Sequence, residues 1–341
     1  MPKHKDAGFT LTEVLIATML SSMVIGGALT AFNGGMRLAD TTRIVSETNQ
    51  SLQAAMSLMV RDFIQTGQGI PTGGIPMPTG IGSVAVRRPG PNAGLTFPAG
   101  WTAIPAITPG SNLGPTVLGV TTDIVTSMYA DPTLALNTWP LTAIGANGIS
   151  MTVDNRTNIG GADGLRVGDL ILFSNANGNA IQTLTRLGGG QVVFFDPNDA
   201  NDGMRLNQPA AAQGTLVGLQ SSPGVWPPTT ATRINLISYY IDVVTDPLLP
   251  RLVRQVATGP QLAIALGMEN VQLSYDLVDG TANPTNVPEP PPGNSANQIR
   301  KVNLFISARS LDMAPLPRNY VRNSMATEVG LRSLSFVDRY R

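Results

Sequence analysis

One carboxylate, Glu13, stands at the edge of a run of 23 uncharged residues, Val14 to Met36. Burying a carboxylate at mid-membrane costs roughly 2.5–3.5 kcal/mol on insertion scales, less near an edge, so its position needs a reason. Few other chemistries are open to the chain. There is no Cys, which removes disulfides, thiolate nucleophiles and Cys-ligated zinc. The single His, His4, lies in the terminal stub, so neither a Ser-His-Asp triad nor a multi-His metal site can be built in the body. Asp196, Asn198, Asp199, Asn201 and Asp202 offer hard oxygen ligands, but Ala200 occupies the fifth place of the calcium-loop pattern, and the stretch reads as a turn. Gly188, Gly189 and Gly190 lack the Lys-Ser/Thr and helix of a phosphate cradle and read as a hairpin turn. Arg87 and Arg88 read as a solvated loop, with an anionic polysaccharide or DNA as the sharper alternative. Trp101, Trp139 and Trp226 read as loop packing, with a glycan or partner surface as the alternative. No metal, no cofactor and no enzyme activity is expected.

As a helix, Val14–Met36 spans about 35 Å, enough for a ~30 Å hydrocarbon core. Lys3, His4 and Lys5 precede it, and positive charge on the short leading side favours a cytoplasmic N-terminus. A cleaved secretory signal is one reading, but the apolar run exceeds the usual ~7–15 residues and "GGALTAFNGG" offers only imperfect cleavage sites. A plain signal anchor explains the apolar run but not Glu13. A processing signal in "AGFTLTEVLIAT" explains both.

Residues Gly8, Phe9, Thr10, Leu11, Thr12 and Glu13, followed by the apolar helix, resemble the N-terminal motif of type IV prepilins and type II secretion pseudopilins. The resemblance implies cleavage between Gly8 and Phe9 by a membrane aspartyl prepilin peptidase and N-methylation of Phe9. Gly8 has no side chain, so the backbone can enter a protease cleft closely. Cleavage creates a cationic amine at Phe9, and in a filament Glu13 of one subunit can pair with Phe9 N of a neighbour. Such a pair lowers the cost of both charges in an apolar environment and sets register.

Beyond the membrane segment (about 11–33), the helix continues without Pro to Gly67, so that 9–66 reads as one helix of roughly 85 Å. Val45, Leu52, Met56, Met59 and Phe63 fall on one face for packing on the chain's own domain, with Arg43, Glu47, Gln50, Gln53, Arg61 and Asp62 mostly off it. Asn33-Gly34-Gly35 is a place where the helix could loosen. The fold class expected is α+β: a long N-terminal helix packed on an antiparallel β-rich head with an inserted β subdomain. Charged residues make up only 13% of the chain against a typical ~25%, and 36 Gly and 27 Pro favour a loop-rich, β-leaning head. Zero net charge argues against non-specific nucleic-acid binding. The organisation expected is a leader over 1–8, the helix over 9–66, a Gly/Pro-rich loop region over 67–115, a β-rich region with the insertion over 116–230, and a C-terminal sheet over 231–341 with a disordered or extended loop at about 280–297. Strands are expected at 121–130, 148–154, 168–175, 180–187, 191–196, 233–244, 250–257, 270–278 and 299–310, with 168–196 as a meander.

The stretch "ISYYIDVVTDPLLPRLVRQVA", then "AIALGMENVQLSYDLVDG", "IRKVNLFISARS" and "VGLRSLSFVDRY", resembles the C-terminal half of W-type (PilW-like) minor pilins. Taken with the N-terminal motif, this implies a minor pilin that primes or caps a type IV pilus. Its implied partners are the prepilin peptidase/methyltransferase, other minor and major pilins and the inner-membrane assembly platform. The implied location is the bacterial inner membrane and then the pilus. A J-type pseudopilin of a secretion pseudopilus shares the layout, and an adhesin or DNA-binding module on a pilin helix is the alternative of another class.

Overall fold

The computed structural model describes residues 8–161, 163–209, 211, 213–315 and 318–335. The fold is α+β: a long N-terminal helix followed by an antiparallel β-rich head. Helix α1 spans Leu11–Gln65 without interruption, passing straight through Gly34-Gly35. It stops where Thr66 turns its N–H back to the Phe63 carbonyl and Gly67 adopts φ +85, a left-handed backbone that glycine tolerates. A Cβ at Gly67 would lie 2.6 Å from the Leu334 side chain, so the end of α1 is also a close packing point.

The head is built on two sheets. Strands β1 (Val125–Ala130), β2 (Leu170–Asn175), β3 (Gly178–Thr183), β4 (Thr230–Asp242), β5 (Arg251–Val256) and β6 (Gln261–Leu266) belong to a seven-stranded antiparallel sheet. The 13-residue β4 is its spine. It pairs with β2 through Thr230–Ile234, with β1 through Ile234–Tyr239 and with β5 through Ile237–Asp242. A turn at Gly267 (φ +70) leads into the second sheet, β7 (Met268–Leu277), β8 (Ile299–Met313) and β9 (Tyr320–Gly330). A Cβ at Gly267 would sit 2.5 Å from the Arg309 carbonyl oxygen, so only glycine lets the two sheets meet this closely.

The C-terminal half of α1 packs across the junction of these sheets. Leu52, Met56, Met59 and Phe63 join Ile237 and Tyr239 of the first sheet and Leu273, Val302, Leu304 and Ile306 of the second in one core. Each such side chain, fully buried, is worth roughly 1.5–3 kcal/mol. Val45, expected on this face, is only half-buried, and the buried positions of that turn are Ile44 and Thr48.

The region expected to hold an insertion is divided between two bodies. Strands β1, β2 and β3 are woven into the main sheet. A separate core forms from Leu136, Met151, Phe173, Val193, Phe195 and Leu216, over a small sheet ordered Arg186–Leu187, Val192–Phe194, Ser150–Thr152, Ala143–Ile144. The expected meander over 168–196 is therefore interrupted: β2 and β3 form a hairpin, and Val192–Phe194 leaves for the small sheet. Gly188–Gly190 make the turn between Arg186–Leu187 and Val192–Phe194, with the Gly188 N–H on the Val192 carbonyl.

Two loop regions are more ordered than their composition suggests. Between residues 67 and 115 the strands are only two residues long, yet Ile75, Met77, Val86, Phe97 and Ile104 are buried against Leu170, Leu172 and Leu236. The loop at 280–297, expected to be disordered or extended, is tied to the sheet. Val287 bridges Tyr275, the Asn286 N–H donates to Asp276, and Asp279 accepts from the Thr281 and Asn283 N–H groups.

Candidate functional site

The residues singled out at the N-terminus form a compact cap. Thr10 is the N-cap of α1, and Thr10-Leu11-Thr12-Glu13 closes a capping box. The Thr10 N–H donates to Glu13 Oε2 at 3.0 Å, the Thr10 hydroxyl donates to the same oxygen at 2.9 Å, and the Glu13 N–H reaches Thr10 Oγ1 at 3.4 Å. The Thr12 hydroxyl lies 3.2 Å from that of Thr10. Glu13 thus satisfies orphan donors of the first turn and places negative charge at the positive end of the helix dipole. Its Oε1 has no partner among the described residues and remains open to a second interaction. The S/T-x-x-E spacing announces this cap in the sequence. Leader residues 1–7, with Lys3, His4 and Lys5, lie outside the described residues.

Phe9 is 87% exposed and Leu11 82%, and every residue from Gly8 to Asp40 is exposed to solvent in the single chain. The 18-residue window that is apolar enough to cross a membrane lies in α1, with none of it buried. The motif therefore sits at the tip of an unpartnered apolar rod, away from the head.

At the other end, α1 is held by a buried charge. Asp62 is 1% exposed, where the sequence suggests a surface position. Its Oδ2 accepts from the Tyr239 hydroxyl at 2.6 Å and from Arg254 Nε at 2.8 Å, and its Oδ1 from the Tyr129 hydroxyl at 3.4 Å. Burial, then the facing Asp62 carboxylate, push the Tyr239 hydroxyl pKa up and that of Tyr129 up to about 12. One signal for this site was present: Asp62 lies three residues after Met59 and continues the buried spacing Ala55, Met59, Asp62.

Arg88 also departs from expectation. It is buried rather than solvated, and donates to Thr126 Oγ1 at 2.9 Å and to the carbonyls of Pro109 at 2.7 Å and Thr108 at 2.8 Å. Burial lowers its pKa to about 10, so it stays protonated at neutral pH as a strut for the 108–126 backbone. Arg87 is half-buried beside it. In the acidic turn, buried Asp202 accepts from the Thr183 hydroxyl and the Leu206 and Asn207 N–H groups, and Asp199 accepts from the Asn201 N–H. Trp139 stacks under Arg156 at 3.5 Å, Trp226 packs on the small-sheet core, and Trp101 packs between two cores. Among the described residues no group of three or more His, Asp or Glu side chains could hold a metal ion.

Residues 3–29 match the prokaryotic N-terminal methylation motif. The class this defines is a chain with a methylation-type N-terminus on an apolar helix. No curated protein sequence matches the chain. Among solved structures, a type IV-like pilin from Thermus thermophilus is similar at 12% identity over 48% of this chain and 84% of that one. Its TM-score is 0.18, at which no shared head fold is read.

Proposed function

We propose that this chain is a minor pilin of the W type, a structural subunit that primes or caps a type IV pilus. The observation that carries the reading is the placement of the methylation motif. It heads a helix whose first half is wholly exposed and membrane-length, while its second half is locked to a β head. In this reading prepilin peptidase cuts between Gly8 and Phe9, and Phe9 receives the methyl group. The leader is left in the cytoplasm and the head lies beyond the inner membrane. The subunit then joins other minor and major pilins at the assembly platform.

Glu13 has two successive tasks. In the single chain its Oε2 caps the helix; in the filament its free Oε1 faces the Phe9 amine of a neighbour. A cationic amine and a carboxylate each buried alone in apolar surroundings cost several kcal/mol, and together they offset much of that. Glu13→Ala is expected to insert into the membrane and lose its leader normally but to enter filaments poorly, as read by immunoblot of sheared pili against whole membranes. Normal incorporation of this variant would overturn the assembly role.

A further inference from the structure

Away from α1, the head carries a groove of about 430 Å³ where the 98–109 segment meets the 289–297 loop. Trp101, Thr102, Glu289, Asn294, Ser295 and Asn297 line it, between walls of proline and glycine backbone. The volume falls within the roughly 300–1,000 Å³ of small-ligand sites. We propose that this groove binds a neutral saccharide, with one sugar ring laid on Trp101 and its hydroxyls donated to Glu289, Asn294 and Asn297.

The hydrogen-bond inventory selects this ligand class. Asn294 spends its amide N–H groups on Asp279 Oδ2 and Gln298 Oε1, each at 3.0 Å, and Asn297 donates to the Gly73 carbonyl at 2.9 Å. Both amides are thereby oriented with their oxygens left as acceptors. Glu289 Oε1 takes the Ser111 N–H at 3.2 Å, and its Oε2 has no partner and no cation at ion-pair distance among the described residues. The groove is rich in acceptors and asks for a ligand rich in donors. A pyranose supplies several hydroxyl donors and an apolar C–H face that suits an indole. An anionic ligand would meet the Glu289 carboxylate, a charge of like sign. Trp101 is half-buried and packed against two cores, and Asn294 and Asn297 are held by the bonds above, so little side-chain freedom is lost on binding.

The test uses the full chain in a detergent without a sugar head group, titrated with cellobiose and N,N′-diacetylchitobiose and read by ligand-observed NMR. Saturable binding of at least one disaccharide is expected. Glu289→Ala, at an exposed carboxylate that holds no ion pair, should weaken it about tenfold, the size expected for one hydrogen bond to a charged group. Trp101→Phe keeps most of the packing and should also weaken binding, whereas Trp139→Ala, an aromatic stacked elsewhere on the head, should leave it unchanged. The proposal is overturned if neither disaccharide binds, or if Glu289→Ala binds as well as the parent. It is also overturned if digalacturonate or a proline-rich decapeptide binds and the neutral sugars do not.

Discussion

The two halves of α1 are one unbroken helix, yet they are made for different solvents. From Gly8 to Asp40 no residue is buried, and Leu15, Leu20, Ile25, Leu29 and Phe32 are each more than half exposed. From Ile44 to Phe63 the apolar positions are sorted onto one face and disappear into the core of the head. Charge follows the same division. In the apolar stretch up to Met36 a single acid, Glu13, is satisfied within its own turn by Thr10; in the second half, Asp62 is satisfied by Tyr129, Tyr239 and Arg254 from three different strands. Hydrophobicity alone therefore does not tell what a helix packs against. An apolar surface all round marks a segment made for lipid or for other helices, and a sorted one marks a segment with a partner in its own chain.

The sharpest way to break this comparison is at Asp62. Removing one member of a buried pair strands the other, typically at 3–5 kcal/mol, so Asp62→Ala should lower the thermal midpoint of the head more than any other single change in α1. Calorimetry of the full chain would check it; an unchanged midpoint would mean that the docked half is held by apolar contact alone. Next in size is a matched pair of truncations. Leu52→Ala opens a cavity in the main core and should cost about 2–5 kcal/mol, while Leu15→Ala, in the exposed half, should leave head stability within about 0.5 kcal/mol. Comparable losses for the two variants, followed by denaturant unfolding of the head, would erase the distinction between the halves.

The smallest effect concerns acid. Burial opposes ionisation of Asp242, but the Thr245 hydroxyl, the Val244 N–H and Arg251 outweigh it and hold the carboxyl below its usual range. A carboxyl whose folded pKa is depressed adds stability that is fully present above its unfolded value of about 3.9 and is lost as the pH falls through the folded pKa. Asp242→Asn should therefore lower head stability modestly at pH 7 and flatten part of the loss that the parent shows below about pH 4. An identical acid profile for parent and variant would remove Asp242 from that account.

Much of this division was legible in the sequence. The uninterrupted apolar run and the stop at Gly67 mark α1. The β-branched, alternating strands around Leu236 and Tyr239, Val271 and Leu273, and Val302 and Leu304 mark the C-terminal sheets. Strand β9 was not legible, because it lies at the outer edge of its sheet with most of "YVRNSMATEVG" exposed or half-buried, so no apolar alternation was required of it. Arg88 and Asp62 were misplaced on the surface for a different reason. A charge is buried only where distant residues supply its partners, and those partners come from 108–126 in one case and 129–254 in the other. Local pattern carries no record of such meetings beyond the helical spacing of Asp62 after Met59. Glu13 was legible as part of the processing motif, while its capping box emerged only from the structure, and the geometry allows one side chain to serve both.

In the proposed function, the first half of α1 reaches its working state only after the leader is removed. Intact-mass and peptide mass spectrometry of the chain purified from producing cells tests it most directly. The expected result is a chain that begins at Phe9 and carries one methyl group on its amine. A chain that still begins at Met1, or one cut near Ala31, would contradict it.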